Sequence, residues 1–188
     1  MGFELARALS DRDAEVTLVA GPTALATPAK VQRIDVRSAE DMALAVDQLW
    51  ATTDAVIMSA AVADYRPAVV ATEKMKKSAD ALSIPLERTR DILAELGERD
   101  DRTQKLLVGF AAETGQVAER AQDKLLRKGL DWIVANDVSG AQIGFGRGDN
   151  AGILIGRAGE MIQLERMAKD DFAETIIDHL SDALRRQS

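Results

Sequence analysis

Short apolar runs alternate with helical segments along most of the chain of 188 residues. Four runs combine β-branched or small apolar residues with a turn-forming or polar boundary, the pattern of buried strands: 15–20, 54–61, 106–112 and 132–135. Apolar residues at helical spacing lie between them, including a helix from the cap residue Ser38 to about Trp50 and another over 115–128 that ends at Gly129. Strands separated by helices of this length predict an α/β fold with a doubly wound, mostly parallel sheet.

The last third of the chain departs from this alternation. Two short strands at 153–155 and 161–164 are close enough to form a hairpin, so an antiparallel addition to the sheet is expected. A further strand is expected at 82–86 despite Pro85, and the glycine-rich stretch 140–152 is interpreted as a flexible loop. No repeat, linker or low-complexity tract interrupts the chain, and residues 1–188 are expected to form a single domain.

The composition excludes several classes of function. The chain has 24 Lys and Arg against 31 Asp and Glu, a formal net charge of −7, which argues against general nucleic-acid binding. It has no cysteine and one histidine, His179, which excludes thiolate chemistry and His-rich metal sites and argues against a Ser-His-Asp triad. No apolar run approaches the roughly 20 residues that cross a bilayer, so no membrane partner and a cytoplasmic location are expected. The chemistry must use carboxylates, lysines, amides and backbone groups.

The chain opens with an amphipathic helix around Phe3 to Leu9, with no strand before it. An α/β domain usually begins with a strand. We therefore expect the first strand of the fold to lie outside these residues, so that the domain is truncated at its N-terminus.

The ends of the predicted strands carry the first candidate site residues. Ligands bind outside the carboxyl ends of strands in open α/β sheets. Asp64 follows one such end, and the small residues before it, including Ala60 and Ala61, would let a flat ligand such as a nucleotide base approach the backbone. The alternative is that Asp64 only caps a helix or forms a turn.

Lysines supply the second set of candidates in this acidic chain. Lys74 lies in the basic cluster 73–77, shortly after Asp64, where a mobile point charge would suit a polyphosphate. Lys124 and Lys128 are four residues apart on one predicted helix face. The alternatives are a solvated charged face for the cluster and a helix-dipole interaction for Lys128.

Four motifs in a fixed order give the chain a family resemblance. They are Ala60–Tyr65 (AAVADY), Glu73–Lys77 (EKMKK), Val108–Thr114 (VGFAAET) and Ala135–Val138 (ANDV). In these motifs the chain resembles phosphopantothenate–cysteine ligase, the second domain of the bifunctional bacterial enzyme of coenzyme A biosynthesis.

The resemblance implies a Rossmann-like, dimeric enzyme. Its reaction would use CTP to activate the carboxylate of phosphopantothenate as an acyl-cytidylate, which cysteine then converts to an amide. Mg²⁺ or Mn²⁺ would accompany the triphosphate, and no flavin is expected in this chain. The expected partners are these three small molecules and a second copy of the chain.

The resemblance also implies roles for particular residues. Lys74 would stabilise charge as the acyl-cytidylate forms, and Asn136 would lie on the acyl-acceptor side of the substrate site. The implied nucleotide-binding residues are Ala60, Ala61, Asp64, Lys74, Asp91, Ile92, Phe110, Lys124 and Lys128. The family's Asn-Pro-Asp-Ile segment reads Thr89-Arg90-Asp91-Ile92 here, so Arg90 replaces the proline.

Family members begin with a strand and a glycine- and serine-rich loop carrying an asparagine that acts on the acyl-cytidylate. Because this chain begins after that segment, it is expected to be incomplete for catalysis on its own. One alternative is therefore a CTP-binding domain without catalysis. Another is an NAD(P)-dependent oxidoreductase, which rests on the fold alone because no dinucleotide fingerprint is present.

Overall fold

The computed structural model describes residues 1–74, 82–102, 104–113, 115–137 and 149–187. Within these ranges the strands are β1 (Thr17–Ala20), β2 (Gln32–Asp35), β3 (Ala55–Met58), β4 (Tyr65–Pro67), β5 (Leu86–Arg88), β6 (Leu106–Glu113), β7 (Trp132–Asp137), β8 (Asp149–Gly156) and β9 (Met161–Ala168). The α-helices are α1 (Gly2–Ser10), α2 (Ala39–Leu49), α3 (Ile92–Gly97), α4 (Val117–Arg127) and α5 (Lys169–Gln187).

The main sheet has the strand order β3-β6-β7-β8-β9. The pairs β3–β6 and β6–β7 are parallel, whereas β7–β8 and β8–β9 are antiparallel. This arrangement confirms the predicted α/β fold class, with parallel strands first and an antiparallel C-terminal addition.

The two faces of the main sheet are covered by different helices. Alternate residues of β6 point to opposite faces, so Leu107 belongs to one buried cluster and Val108 to the other. The first cluster includes α2, α3 and α4 and contains Trp50, whose Nε1 donates to Asp101 Oδ1 at 2.9 Å. The second lies under α1 and α5 and contains Phe172. The sheet is therefore buried on both sides.

A separate parallel pair, β1–β2, lies beside the main sheet. All four residues of β1 and all four of β3 line one cavity of about 960 Å³, which α1 and α2 also border. Among the described residues β1 pairs only with β2, and β3 pairs only with β6. The open sides of two strands therefore line the same cavity.

Local sequence determines the helix boundaries as predicted. Ser38 Oγ accepts from the amide of Asp41 at 3.0 Å, and Asp41 Oδ2 accepts from the amide of Ser38 at 3.0 Å, a capping box that starts α2. Gly129 follows α4 with a φ of +63°, a conformation that glycine adopts without steric cost.

Two predicted elements differ from the structure. The strand expected at 82–86 is instead β5, which pairs with β4 in an antiparallel hairpin. Pro85 has no amide hydrogen to donate, so the regular pairing begins one residue later, at Leu86. The carbonyl oxygen of Pro85 still accepts a hydrogen bond from the amide of Ala68. The glycine-rich stretch was expected to be a loop to residue 152, yet β8 begins at Asp149 because Asp149 and Asn150 pair with β9. Residues 140–148 lie outside the described residues.

Candidate functional site

The cavity between β1 and β3 extends to the carboxyl end of the main sheet. Ala60 and Ala61, which follow β3, line it together with Phe110 of β6 and Asn136 of β7. The start of α1 lies at the same end, since a Cβ added at Gly2 would come 2.9 Å from Ser59 Oγ. The structure thus brings four of the predicted site residues to one cavity, as neighbouring parallel strands should.

Asn136, which lines this cavity, has an unpaired acceptor beside β8. Its Oδ1 is buried and has no hydrogen-bond partner among the described residues. Asn136 is opposite Gly152 in the β7–β8 register, and a Cβ at Gly152 would lie 2.4 Å from the carbonyl oxygen of Ala135 and 3.1 Å from Asn136 Oδ1. A buried acceptor without a donor costs free energy. Among the described residues, Asn136 Oδ1 is therefore a buried acceptor that still lacks a donor.

A second group of predicted residues meets on α3 and α4. Asp91 caps α3 by accepting from the amide of Ala94 at 3.2 Å, and it accepts from Lys128 Nζ at 2.7 Å. Burial by itself raises the pKa of Asp91. The hydrogen bonds from Lys128 and Ala94, with the charges of Lys128 and Lys124, outweigh it and hold the pKa below its ordinary value. Asp91 is therefore a carboxylate paired with a lysine at neutral pH.

Lys124 connects this group to the cavity. Its Nζ lies 3.4 Å from the carbonyl oxygen of Phe110, a residue of the cavity wall. Phe110 is half-buried, as is Lys124. The helix α4 thus carries one predicted lysine to the cavity wall and the other, Lys128, to Asp91.

The remaining predicted residues are placed differently. Asp64 is exposed, just before β4, and Lys74 is exposed in the segment that follows it; neither is among the described residues that line the cavity. Met75, Lys76 and Lys77 of the predicted cluster lie outside the described residues. The side chain of Ile92 is 5% exposed and belongs to the hydrophobic core. Any contact between Ile92 and a ligand would therefore come from its backbone.

Two polar residues near the site were not selected from the sequence. Thr89 donates from its amide to Asp64 O at 3.0 Å and from Oγ1 to Ala63 O at 2.6 Å, which fixes the segment after β3. Asn150, on β8, is 7% exposed and lines the cavity. A polar residue within a strand otherwise rich in apolar residues was a usable indication for Asn150. Thr89 lies in the matched segment Thr89–Ile92, but nothing in the sequence indicated its bonds to Ala63 and Asp64.

The described residues supply no dedicated metal cage. Among them, no three histidine or acidic side chains converge closely enough to hold a metal ion. A divalent ion that accompanies a nucleotide fits this arrangement, because Mg²⁺ is commonly held by substrate phosphates with one or two carboxylates.

None of the helices within the described ranges is both long and apolar enough to cross a membrane.

The fold and the cavity define an α/β protein with a candidate ligand site at the carboxyl ends of its parallel strands. Residues 1–184 match the family described as the DNA/pantothenate metabolism flavoprotein C-terminal domain. The chain belongs to this family.

Relatives in this family agree with the resemblance drawn from the motifs. The chain is 43% identical over 180 residues to the coenzyme A biosynthesis bifunctional protein CoaBC of Haemophilus influenzae, covering 96% of this chain and 44% of that protein. It is 41% identical over 189 residues to the protein of the same name from Bacillus subtilis, covering 100% of this chain and 46% of that protein. The chain therefore spans a little under half the length of these relatives. The predicted family is confirmed.

Solved structures show the same architecture. The crystal structure of the C-terminal domain of a coenzyme A biosynthesis bifunctional protein CoaBC matches with a TM-score of 0.82 at 40% identity, covering 98% of this chain and 82% of that one. A DNA/pantothenate metabolism flavoprotein from Streptococcus pneumoniae matches with a TM-score of 0.77, covering 96% of this chain and 86% of that one. Its identity is 18%, so this second match supports the fold alone.

Proposed function

We propose that this chain acts in coenzyme A biosynthesis as the domain that ligates phosphopantothenate to cysteine using CTP. The observation that carries the proposal is the cavity at the strand ends, which is lined by Ala60, Ala61, Phe110 and Asn136. These residues come from motifs of the ligase family, and the relatives are named as coenzyme A biosynthesis proteins.

The proposed reaction has two steps. A carboxylate oxygen of phosphopantothenate attacks the α-phosphorus of CTP, and the bond from that phosphorus to pyrophosphate breaks. The amine of cysteine then attacks the acyl carbon of the acyl-cytidylate, CMP leaves with the bonding electrons, and the amine loses a proton. Negative charge develops on phosphate oxygens in the first step, where positioned cations lower the barrier. Mg²⁺ or Mn²⁺ bound to the triphosphate would add positive charge there.

The chain's own residues would divide the work of binding. The small side chains of Ala60 and Ala61 leave the backbone accessible to the cytosine ring, and Phe110 lines the same cavity. Asp64 would help to hold the cytidine, and Asn136 Oδ1 would accept from a donor on the acyl-acceptor side, where it has no described protein partner. Lys74 would stabilise charge as the acyl-cytidylate forms, with Ile92 contributing only its backbone.

The lysines of α4 are proposed phosphate or ribose ligands. Lys124 is supported by its position 3.4 Å from the backbone of Phe110. Lys128 is already bound to Asp91, so a phosphate would share or replace that carboxylate. The shared lysine would link nucleotide binding to the start of α3.

The cavity also favours a further structural element. We propose that an extended segment preceding Met1 adds as a strand between β1 and β3, whose open sides line the cavity. Strands pair at about 4.8 Å, and one inserted strand would hydrogen-bond on both sides. Such a strand would join the two parallel sheets and place its own carboxyl end beside Ala60.

Titration with CTP and with ATP, each with Mg²⁺, tests this function in the chain and in a version extended upstream with its native residues. We expect CTP to bind and ATP to bind weakly or not at all. Absence of CTP binding in both chains would contradict the proposal. CTP binding without pyrophosphate release by the extended chain would instead favour a CTP-binding domain without catalysis.

Lys74→Gln in the extended chain tests the catalytic role. We expect acyl-cytidylate formation to fall by about 10²- to 10³-fold, as for the loss of one positioned electrostatic group, with CTP affinity little changed. Lys30→Gln is the matched control, because Lys30 pairs with Asp13 at the surface and has an exposed side chain. Equal turnover in the Lys74 and Lys30 variants would exclude Lys74 as the catalytic lysine.

A further inference from the structure

The segment Thr89–Asp91, between β5 and α3, connects separate parts of the candidate site. Thr89 bonds to the backbone of Ala63 and Asp64 after β3, at 2.6 and 3.0 Å. Asp91 starts α3 and accepts from Lys128 of α4 at 2.7 Å. A shift of this segment would therefore move two groups of proposed nucleotide ligands together.

Arg90 lies between these two residues, and its side chain points to a different set of partners. The guanidinium donates to Glu95 of α3 at 2.5 Å and to Asp47 of α2 at 3.1 Å, and Glu40 of α2 lies 3.8 Å away. The Arg90 side chain is 31% exposed. A planar guanidinium with several donors can hold carboxylates from two elements at once. Arg90 thus fastens the segment to α2, which borders the cavity, and to α3.

We propose that Arg90 is a positioning residue for nucleotide binding, which holds the segment so that Thr89 stays against Ala63–Asp64 and Asp91 stays against Lys128. The proposal deepens the proposed function and rests on it. The family motif has proline here, whose ring fixes the backbone φ. In this chain the side chain of Arg90, rather than a ring, restrains the same point of the backbone.

Arg90→Met tests this role, with Arg99→Met as the matched control. Arg99 also faces Asp47, at 3.6 Å, and pairs with Asp101, but it lies beyond the end of α3. We expect R90M to speed hydrogen exchange of the Thr89 and Ala94 amides and to weaken CTP binding about fivefold, consistent with the loss of one or two partly exposed ion pairs. R99M should leave both within about twofold, and R90K should restore part of the affinity.

The same substitution in an Asp91→Asn background separates positioning from direct contact. If Arg90 acts through Asp91, R90M weakens CTP binding less in this background than in the wild type. An undiminished effect would mean that Arg90 does not act through Asp91 and would overturn the proposal. Unchanged exchange of Thr89 and Ala94 in R90M would overturn it as well. If the wild-type extended chain fails to bind CTP, the proposed function fails, while the exchange results still decide whether Arg90 holds the segment.

Discussion

Asp91 combines a helix cap with an ion pair, and its protonation affects both. Hydrogen bonds from Lys128 and Ala94 keep the pKa of Asp91 below its ordinary value although burial acts to raise it. A carboxyl group whose pKa is lower in the folded state stabilises the fold above its unfolded pKa of about 3.9. That contribution disappears as the pH falls through the folded-state pKa.

Asp91→Asn removes the charge but keeps a side chain that can cap α3. We expect the variant to be less stable than the wild type at pH 7 by under about 1 kcal/mol, because the Asp91 side chain is 52% exposed and solvent screens the pair. The difference should vanish near pH 2, and urea unfolding at a series of pH values measures it. Lys128→Met should show a similar loss at pH 7. A difference between D91N and wild type that persists at pH 2 would show that the charge is not its cause.

The sequence identified Asp91 and Ile92 together, yet their side chains have different surroundings. Asp91 contacts Lys128, 37 residues away, whereas Ile92 packs in the core. A matched motif identifies positions but does not show which atom of each residue faces a ligand. The same motif located Thr89 and Arg90, but their contacts could not be predicted because partners lie 26 and 43 residues away in sequence, where no local pattern connects them.

At the scale of elements, the β4–β5 hairpin is the least buried part of the described structure. Six of the ten exposed large apolar residues lie in or beside it: Tyr65, Val69, Val70, Leu82, Ile84 and Leu86. A concentration of exposed apolar residues in one element of an otherwise charged protein is typical of an interaction site. We propose that a second copy of the chain covers the hairpin and forms the expected homodimer.

Val70→Asp tests the hairpin as a dimer contact. Val70 is 80% exposed, so the substitution should barely change the stability of the monomer. Sedimentation should show a dimer for the wild type and a dimer weakened by at least about tenfold for V70D, because an unpaired carboxylate is costly to bury. Leu44→Asp on α2, where Leu44 is 50% exposed, is the control and should leave the dimer intact. A monomeric wild type, or equal weakening in both variants, would contradict the proposal.

The elements that sequence predicted well are those with a strong local pattern. The capping box of Ser38 and Asp41 and the positive φ of Gly129 are local features, and both are present. β5 was misplaced because three exposed residues give no apolar alternation, and their strand conformation depends on pairing with β4, 21 residues away. The early start of β8 has the same cause, since pairing with β9 extends it to Asp149.

At the scale of the whole molecule, one cavity lies between the β1–β2 pair and the main sheet. β1 and β3 line this cavity, with α1 and α2 beside them. Apolar residues of both strands, such as Val19 and Ile57, lie only partly buried there. Burial of these residues by one strand would continue the core from the β1–β2 pair to the main sheet.

Adding the native residues upstream of Met1 should therefore stabilise the whole molecule. We expect the free energy of unfolding to rise by about 3 kcal/mol or more, the effect of burying about two large apolar side chains. Backbone pairing should slow hydrogen exchange in β1 and β3, on the sides that line the cavity, more than in β9 at the far edge of the sheet.

An extension with the same residues in scrambled order is the control, because it keeps length and composition but loses the strand pattern. Equal stabilisation by both extensions, or unchanged exchange in β1 and β3, would show that no strand enters the cavity. Selective protection would instead make the inserted strand the element that unites the two sheets and completes the wall beside Ala60 and Ala61.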